Sequence, residues 1–314
     1  MEIVENRCEA GCPREERVEP EGNGEARSTA PREGTEESGA GSLFEKVLER
    51  ENLNRAFKRV VKNGGSAGVD GMKTSELLNH LKHHKEELLE SLRKGKYTPQ
   101  PVKRVEIPKP CGGIRLLGIP TVLDRMIQQA LVQVLQPIFD PKFSENSYGY
   151  RPGKKAQDAV NKSKQYYEEG YTVVVDIDLS KYFDTINHDL LMGYVRQEVA
   201  DRQVLELIKK YLKSGVMVNG VKEATEKGSP QGGPLSPLLS NIYLNEFDKE
   251  MEARGHCYVR YADDIAVYVK SKRAGERVLE TCRRYLEGKL KLKMNEEKSR
   301  TDSPGSFAND VGKF

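Results

Sequence analysis

The chain has 314 residues, of which 37% are hydrophobic and 32% charged, with 51 Lys and Arg against 48 Asp and Glu. That length suits two packed subdomains, and no apolar run approaches the roughly 18 residues a membrane helix needs, which argues against a helical membrane protein. Five cysteines, Cys8, Cys12, Cys111, Cys257 and Cys282, match neither a disulfide framework nor a paired zinc spacing. With no secretion pattern at the N-terminus, a reducing, cytoplasmic setting is expected.

Residues 1–41 hold 11 Glu against 5 Arg, a balance of −6, which leaves +9 for the remainder. The segment is rich in Glu, Gly, Pro and Ser, cannot bury enough apolar surface to offset chain entropy, and is expected to be a disordered acidic tail. The basic remainder suits a polyanionic partner.

Folded structure is expected from Leu43, where "LFEKVLERENLNRAFKRVVKN" carries apolar residues at helical spacing and Gly64, Gly65 and Gly68 punctuate its end. A second helix is predicted over 76–94. "PVKRVEIPKPCGGIRLLGIP" reads as a β-hairpin with a glycine turn, followed by a helix in "TVLDRMIQQALVQVLQPIF" that ends near Pro137. Another helix is predicted over 154–169. "YTVVVDIDL" reads as a buried strand and "NHDLLMGYVRQEV" as a helix capped by Asn187 or Asp189. In "SPLLSNIYLNEFDKEMEARG", Ser236 is the expected cap and Pro237 the first helical residue. Leu239, Ile242, Tyr243, Phe247 and Met251 share one face of that helix, and Gly255 closes it. This order predicts an α+β fold with helices behind an antiparallel sheet.

"YVRYADDIAVYV" reads as a second hairpin: Tyr258 to Tyr261 rise, Ala262 to Asp264 turn, Ile265 to Val269 return. Aspartates suit turns, but the apolar flanks place this turn against the core, where unpaired carboxylates cost several kcal/mol each. In "TVVVDIDLSKYFDTI", alternation puts Asp176 and Asp178 on one strand face, although carboxylates at a strand end also cap turns. Two acidic strands together favour a shared divalent cation, with hard oxygen ligands of the kind Mg2+ prefers.

"YADD", the acidic strand, "SPQGGPLSPLLSNIYL" and "IRLLGIPTVLDRMIQQAL" with "PIFDPKFSENSYGYRPG" resemble, in order, the blocks of the reverse transcriptases encoded by bacterial group II introns, the intron maturases. The likeness runs from about Asn52 to Lys298. It implies the fingers and palm of a right-hand polymerase, with the palm sheet antiparallel and backed by helices. The division expected is a tail over 1–41, an N-terminal extension and fingers over 42–152, and a palm over 153–300 from which residues near 190–229 are lent to the fingers. It also implies an RNA-directed DNA polymerase using two Mg2+ ions, an RNA template (the intron RNA), a DNA or RNA primer and deoxynucleoside triphosphates, and no membrane.

Residue by residue, the family's metal-binding Asp has an aromatic five positions later, which selects Asp178 with Phe183 over Asp176 with Lys181. The resemblance makes Asp178, Asp263 and Asp264 catalytic metal ligands, joined by the Leu179 carbonyl. Phe183 is expected to exclude a 2′-hydroxyl, and Gln231 and Gly232 to meet the nascent base pair. Lys109 and Arg115 would neutralise the triphosphate, and Lys298 resembles a lysine proposed to protonate pyrophosphate. Tyr148, Tyr150 and Arg151 could stack on or pair with nucleic acid, or form a packed corner. Asn54, Arg55 and Lys58, with Arg59, match the element that embraces template.

Relatives continue with an "LGF" block and a helical thumb, whereas this chain ends "TDSPGSFANDVGKF". A truncated C-terminal remnant over 301–314 and a missing thumb are therefore expected. That makes an RNA-binding maturase fragment, which assists splicing without effective polymerisation, the alternative reading. An RNA-templated RNA polymerase is disfavoured by Phe183.

Overall fold

The structure is a computed structural model that describes residues 41–108, 114–218, 220–223, 227–229 and 232–302. The acidic tail, Lys109, Gln231 and the chain beyond 302 lie outside the described residues, and of Arg115 only the backbone is described.

The first expected helix is two. α1 (Leu43–Leu48) is capped by Ser42, whose Oγ accepts from the Glu45 N–H at 3.2 Å. Glu49 then leaves helical geometry with ψ 137°, and α2 (Arg50–Asn63) restarts from it. The break lets both helices pack on α4 (Val122–Phe139). Asn52, 2% exposed, fixes α2 there: its Nδ2 donates to the Val47 and Ala130 carbonyls, each at 3.0 Å. α3 (Leu77–Arg93) precedes the hairpin of β1 (Val102–Pro108) and β2 (Ile114–Ile119), paired from Lys103↔Ile119 to Pro108↔Ile114. Thr121 caps α4 and shares Asp124 with Tyr97, whose hydroxyl donates to it at 2.7 Å.

α5 (Ala156–Glu168) leads to β3 (Val173–Ile177), the short α6 (Tyr182–Thr185) and α7 (His188–Arg196). Asn187 is the cap of α7, its Oδ1 accepting from the Leu190 N–H at 3.0 Å. α8 (Arg202–Leu212), β4 (Val216–Val218) and β5 (Val221–Glu223) follow; β4 runs parallel to β1, so the first sheet is mixed, in the order β2-β1-β4-β5. These three elements carry no motif legible in the sequence.

α9 (Leu235–Ala253) begins before the expected Ser236, with Pro234 as its cap. It is buried almost all round, including Asn241 and Asp248, rather than on one stripe. β6 (Cys257–Tyr261), β7 (Asp264–Val269), α10 (Lys272–Gly288) and β8 (Arg300–Asp302) complete the described chain. The second sheet, β6-β7-β3-β8, is antiparallel throughout. Its Val175, Ile177, Ile265 and Val267 join the large core with α9 and α10. Val174, Val259, Ala266 and Tyr268 form a smaller core with Ala159 and Tyr166 of α5. Helices therefore cover both faces, which is why this strand reads as a nearly continuous apolar run.

Candidate active site

The β3–β7 ladder ends at Ile177↔Ile265, so Asp178 and Asp264 are the next residues on each strand and would align if the register were continued by one step. The β6–β7 ladder closes at Tyr261↔Asp264, leaving Ala262 and Asp263 as a two-residue turn. Ala262 has φ 59° and Asp263 is not among the positive-φ residues, the pattern of a type II′ turn that follows strand twist. All three sequence-selected aspartates thus stand at one end of the second sheet, each half-buried, with the Asp178 side chain 33% exposed.

The segment after α10 braces Asp178 from the far side. The Asn295 N–H donates to the Asp178 carbonyl at 2.9 Å, and Ser299 Oγ accepts from the Asp178 N–H at 3.2 Å. Leu179 bridges Met294. The Lys298 ammonium reaches Asp178 Oδ2 at 3.5 Å, so Lys298 contacts the carboxylate itself. Carboxylate oxygens open to solvent and already attracting a cation are a chemically suitable donor set for Mg2+. Among the described residues no three His, Cys, Asp or Glu side chains converge into a preformed metal cluster. Asp178, Asp263 and Asp264 are the residues that could hold a metal, with further ligands coming from substrate or water.

Beside this edge opens a cleft of about 550 Å3 between α2, α4, β2, Phe183 and the start of α9. Phe183, 6% exposed, sits on α6 edge-on to Tyr182, with ring centroids 5.2 Å apart. Gly232, at φ 120°, lines the same cleft; a Cβ there would come 2.5 Å from the Gly118 carbonyl, so only glycine lets this loop lie against β2. Tyr150, 43% exposed, also lines it. The aspartates are not among the lining residues, but Gly149 next to Tyr150 packs on Ala262 of the turn.

The cleft wall includes Arg59, Asn63, Arg125, Gln129 and Gln136, of which the sequence motifs single out only Arg59. Their signal was the polar face of two amphipathic helices, which reads equally well as solvated surface. Arg125 also donates to the Gly64 and Ser66 carbonyls, at 3.0 and 2.9 Å, and holds the glycine-rich loop against α4. Asn54, Arg55 and Lys58 are exposed on α2 but do not line the cleft.

Two of the nucleic-acid candidates are buried. Arg151, 9% exposed, is consumed internally: Nε meets Asp140 at 3.0 Å, and Nη1 donates to the Ser144 and Ser147 carbonyls at 2.6 and 3.0 Å. Tyr148, 8% exposed, belongs to the smaller core, with the Lys154 ammonium 5.0 Å from its ring centre. Both form the packed corner, because a guanidinium buried there needs carbonyl and carboxylate acceptors on every side.

Residues 107–305 match the family model described as reverse transcriptase (RNA-dependent DNA polymerase). The protein YkfC of Escherichia coli is 36% identical over 298 residues, covering 82% of this chain and 78% of its own. The group II intron-encoded protein LtrA of Lactococcus lactis is 29% identical, and the match spans 82% of this chain and 53% of LtrA. Among solved structures, a chain of a partial Cas6-RT-Cas1–Cas2 complex aligns over 79% of this chain and 43% of its own, with TM-score 0.50 and 24% identity. A telomerase chain from Candida albicans aligns over 67% of this chain and 42% of its own, also at TM-score 0.50, with 12% identity; both likenesses bear on the fold alone. The acidic turn, the acidic strand beside it and the extent of these matches agree: the chain belongs to the reverse transcriptase family, and its relatives include the group II intron-encoded proteins.

Proposed function

We propose that the chain is the RNA-directed DNA polymerase part of a group II intron protein, transferring deoxynucleotides to a primer 3′-hydroxyl on an RNA template. The observation that supports this reading is the register of β3 on β7, which ends at Ile177↔Ile265, one residue short of Asp178 and Asp264, at the same sheet end as the turn that carries Asp263. In this reading Asp178, Asp263 and Asp264, with the Leu179 carbonyl, hold the metal. Two Mg2+ ions bound there supply Lewis-acid activation of the 3′-hydroxyl and neutralise charge on the leaving pyrophosphate. Phe183, which lines the cleft, excludes a 2′-hydroxyl, Gly232 packs against the nascent base pair, and Lys298, which contacts Asp178, acts near the phosphates. Arg59, Arg125 and the glutamines of α4 give a polar wall for a nucleic-acid backbone. Lys109, Arg115 and Gln231 keep the nucleotide-contacting roles the family pattern implies. The first sheet with α2, α4 and α8 serves as fingers and the second sheet with α9 and α10 as palm.

The second reading, RNA binding that assists splicing without polymerisation, is supported by the same polar wall and by a relative from Arabidopsis thaliana named as a nuclear intron maturase. Purified protein, an RNA template with a DNA primer, Mg2+ and either deoxynucleotides or ribonucleotides separate the readings. Extension with deoxynucleotides that Asp263→Ala abolishes supports polymerisation. Salt-sensitive RNA binding with no extension supports the second reading, and extension with ribonucleotides alone overturns the role given to Phe183.

A further inference from the structure

The hairpin that carries the aspartates contains one charged side chain to which the polymerase reading gives no role. Arg260 lies in β6 at 0% exposure, among the largest fully buried side chains of the molecule. Its guanidinium contacts three partners. Nε and Nη2 meet the Asp248 carboxylate of α9 at 2.9 and 2.5 Å, and Nη1 donates to Asn241 Oδ1 of α9 at 2.9 Å. Nη1 also donates to the Ala262 carbonyl at 2.9 Å. Burial disfavours the charge on Arg260, but the Asp248 carboxylate more than offsets this and holds the guanidinium's pKa up.

A buried ion pair is a weak source of stability, since well-packed apolar residues of similar volume serve a core as well or better. What an apolar pair cannot do is donate to Ala262. The hairpin ladder uses Tyr261 and Asp264, so the carbonyl of Ala262 stands outside it, at a residue with φ 59°. The other side of the turn is equally constrained. The Arg260 backbone exchanges hydrogen bonds with Asn146 and Tyr148, both at 2.9 Å. A Cβ on Gly149 would be driven into the Ala262 nitrogen. Asn241 ties the two sides together, since its Nδ2 donates to the Gly149 carbonyl at 2.9 Å.

We propose that Arg260 is a positioning residue: anchored on Asp248 and Asn241, it fixes the turn backbone that presents Asp263 and Asp264, while Gly149 closes the opposite side. Its catalytic consequence rests on the polymerase reading; the positioning itself does not. A lysine keeps the charge but has no planar fork with which to serve Asp248, Asn241 and Ala262 together.

The test compares the wild-type chain with Arg260→Lys and Gly149→Ala by amide hydrogen exchange of the peptide spanning 257–266 and by primer extension. Both variants are expected to exchange about ten-fold faster in that peptide while the peptide of α4 is unchanged. Extension kcat is expected to fall about ten-fold or more, with KM for deoxynucleotide and affinity for primer–template unaltered. Should Arg260→Lys fail to fold, Asn241→Ser decides by the same exchange and extension measurements, because it removes the Asn241 anchor of Arg260 Nη1 while leaving the Asp248 pair in place. Unchanged exchange in the folded variants overturns the proposal, and so does faster exchange with undiminished kcat. If the wild-type chain extends no primer, the polymerase reading fails, and the exchange measurement still decides whether Arg260 holds the turn.

Discussion

The Lys298 ammonium lies 3.5 Å from Oδ2 of Asp178, on the residue whose backbone Asn295 and Ser299 hold in place. With side chains 63% and 33% exposed, the pair is screened by water and contributes little to folding. Lys298→Met is therefore expected to change stability by less than about 0.5 kcal/mol, as read by urea unfolding. It also removes a cation that competes for Asp178. Mn2+ titration followed by electron paramagnetic resonance is expected to show tighter binding in Lys298→Met than in the wild type, and no such gain when Asp178→Asn is added. Weaker binding in the single variant would mean that the lysine supports the site instead of competing for it.

Phe183 is buried against Tyr182 where it lines the cleft. Phe183→Val removes the far half of the ring and is expected to cost about 2 kcal/mol of stability. If the ring excludes a 2′-hydroxyl, the ratio of ribonucleotide to deoxynucleotide incorporation should rise by about ten-fold or more, because rejection by steric clash is lost with the clashing atoms. Single-nucleotide extension with each substrate measures the ratio. An unchanged ratio in a folded variant would leave Phe183 as a packing residue.

The parts legible in the sequence were those that violate burial rules locally. Asp178, Asp263 and Asp264 interrupt apolar strands, and that contradiction needs no tertiary knowledge to be noticed. Arg260 breaks the same rule in the same quoted stretch, yet its partners Asp248 and Asn241 sit seven residues apart on a helix whose burial extends around its whole circumference. A one-stripe reading of that helix hides them. The β4–β5 hairpin was illegible for a different reason: three-residue strands that join a distant hairpin through β1 have too little period to read. Likewise Arg151 is an exposed-looking basic residue in a glycine-rich block, and only the fold around Ser144, Ser147 and Asp140 shows that its donors are spent.

Asp124 joins the entry to α4 with Tyr97, Thr121 and the Gln100 N–H. Burial pushes its carboxyl above the ordinary range, opposed by these hydrogen bonds. A carboxyl raised in the folded state contributes stability that is fully present below the unfolded pKa, near about 4, and is lost as pH rises through the folded pKa. The neutral Asp124→Asn lacks that dependence. The stability advantage of wild type over Asp124→Asn should therefore shrink as pH is raised from about 4 towards neutrality, measured by urea unfolding at each pH. An advantage that grows with pH would contradict a raised carboxyl.

Arg59 and Arg151 are both arginines close to the cleft or its rim, but their surroundings predict opposite phenotypes. Arg59 is exposed on α2 and lines the cleft, whereas Arg151 spends its donors on Asp140 and two carbonyls. Arg59→Ala should leave stability within about 0.5 kcal/mol. It should weaken RNA binding, and reduce the slope of log affinity against log salt by about 0.7 to 0.9, the loss of one phosphate contact. Arg151→Ala should cost about 3 kcal/mol, because Asp140 and the carbonyls lose their charged donor in a nearly dry corner. Its salt slope should stay at the wild-type value once measured under conditions where the protein is folded. Fluorescence anisotropy with a labelled single-stranded RNA across a salt series, paired with urea unfolding, reads both quantities. A reduced salt slope in Arg151→Ala would require this guanidinium to leave Asp140 and reach the RNA, and would reopen the corner as a nucleic-acid contact.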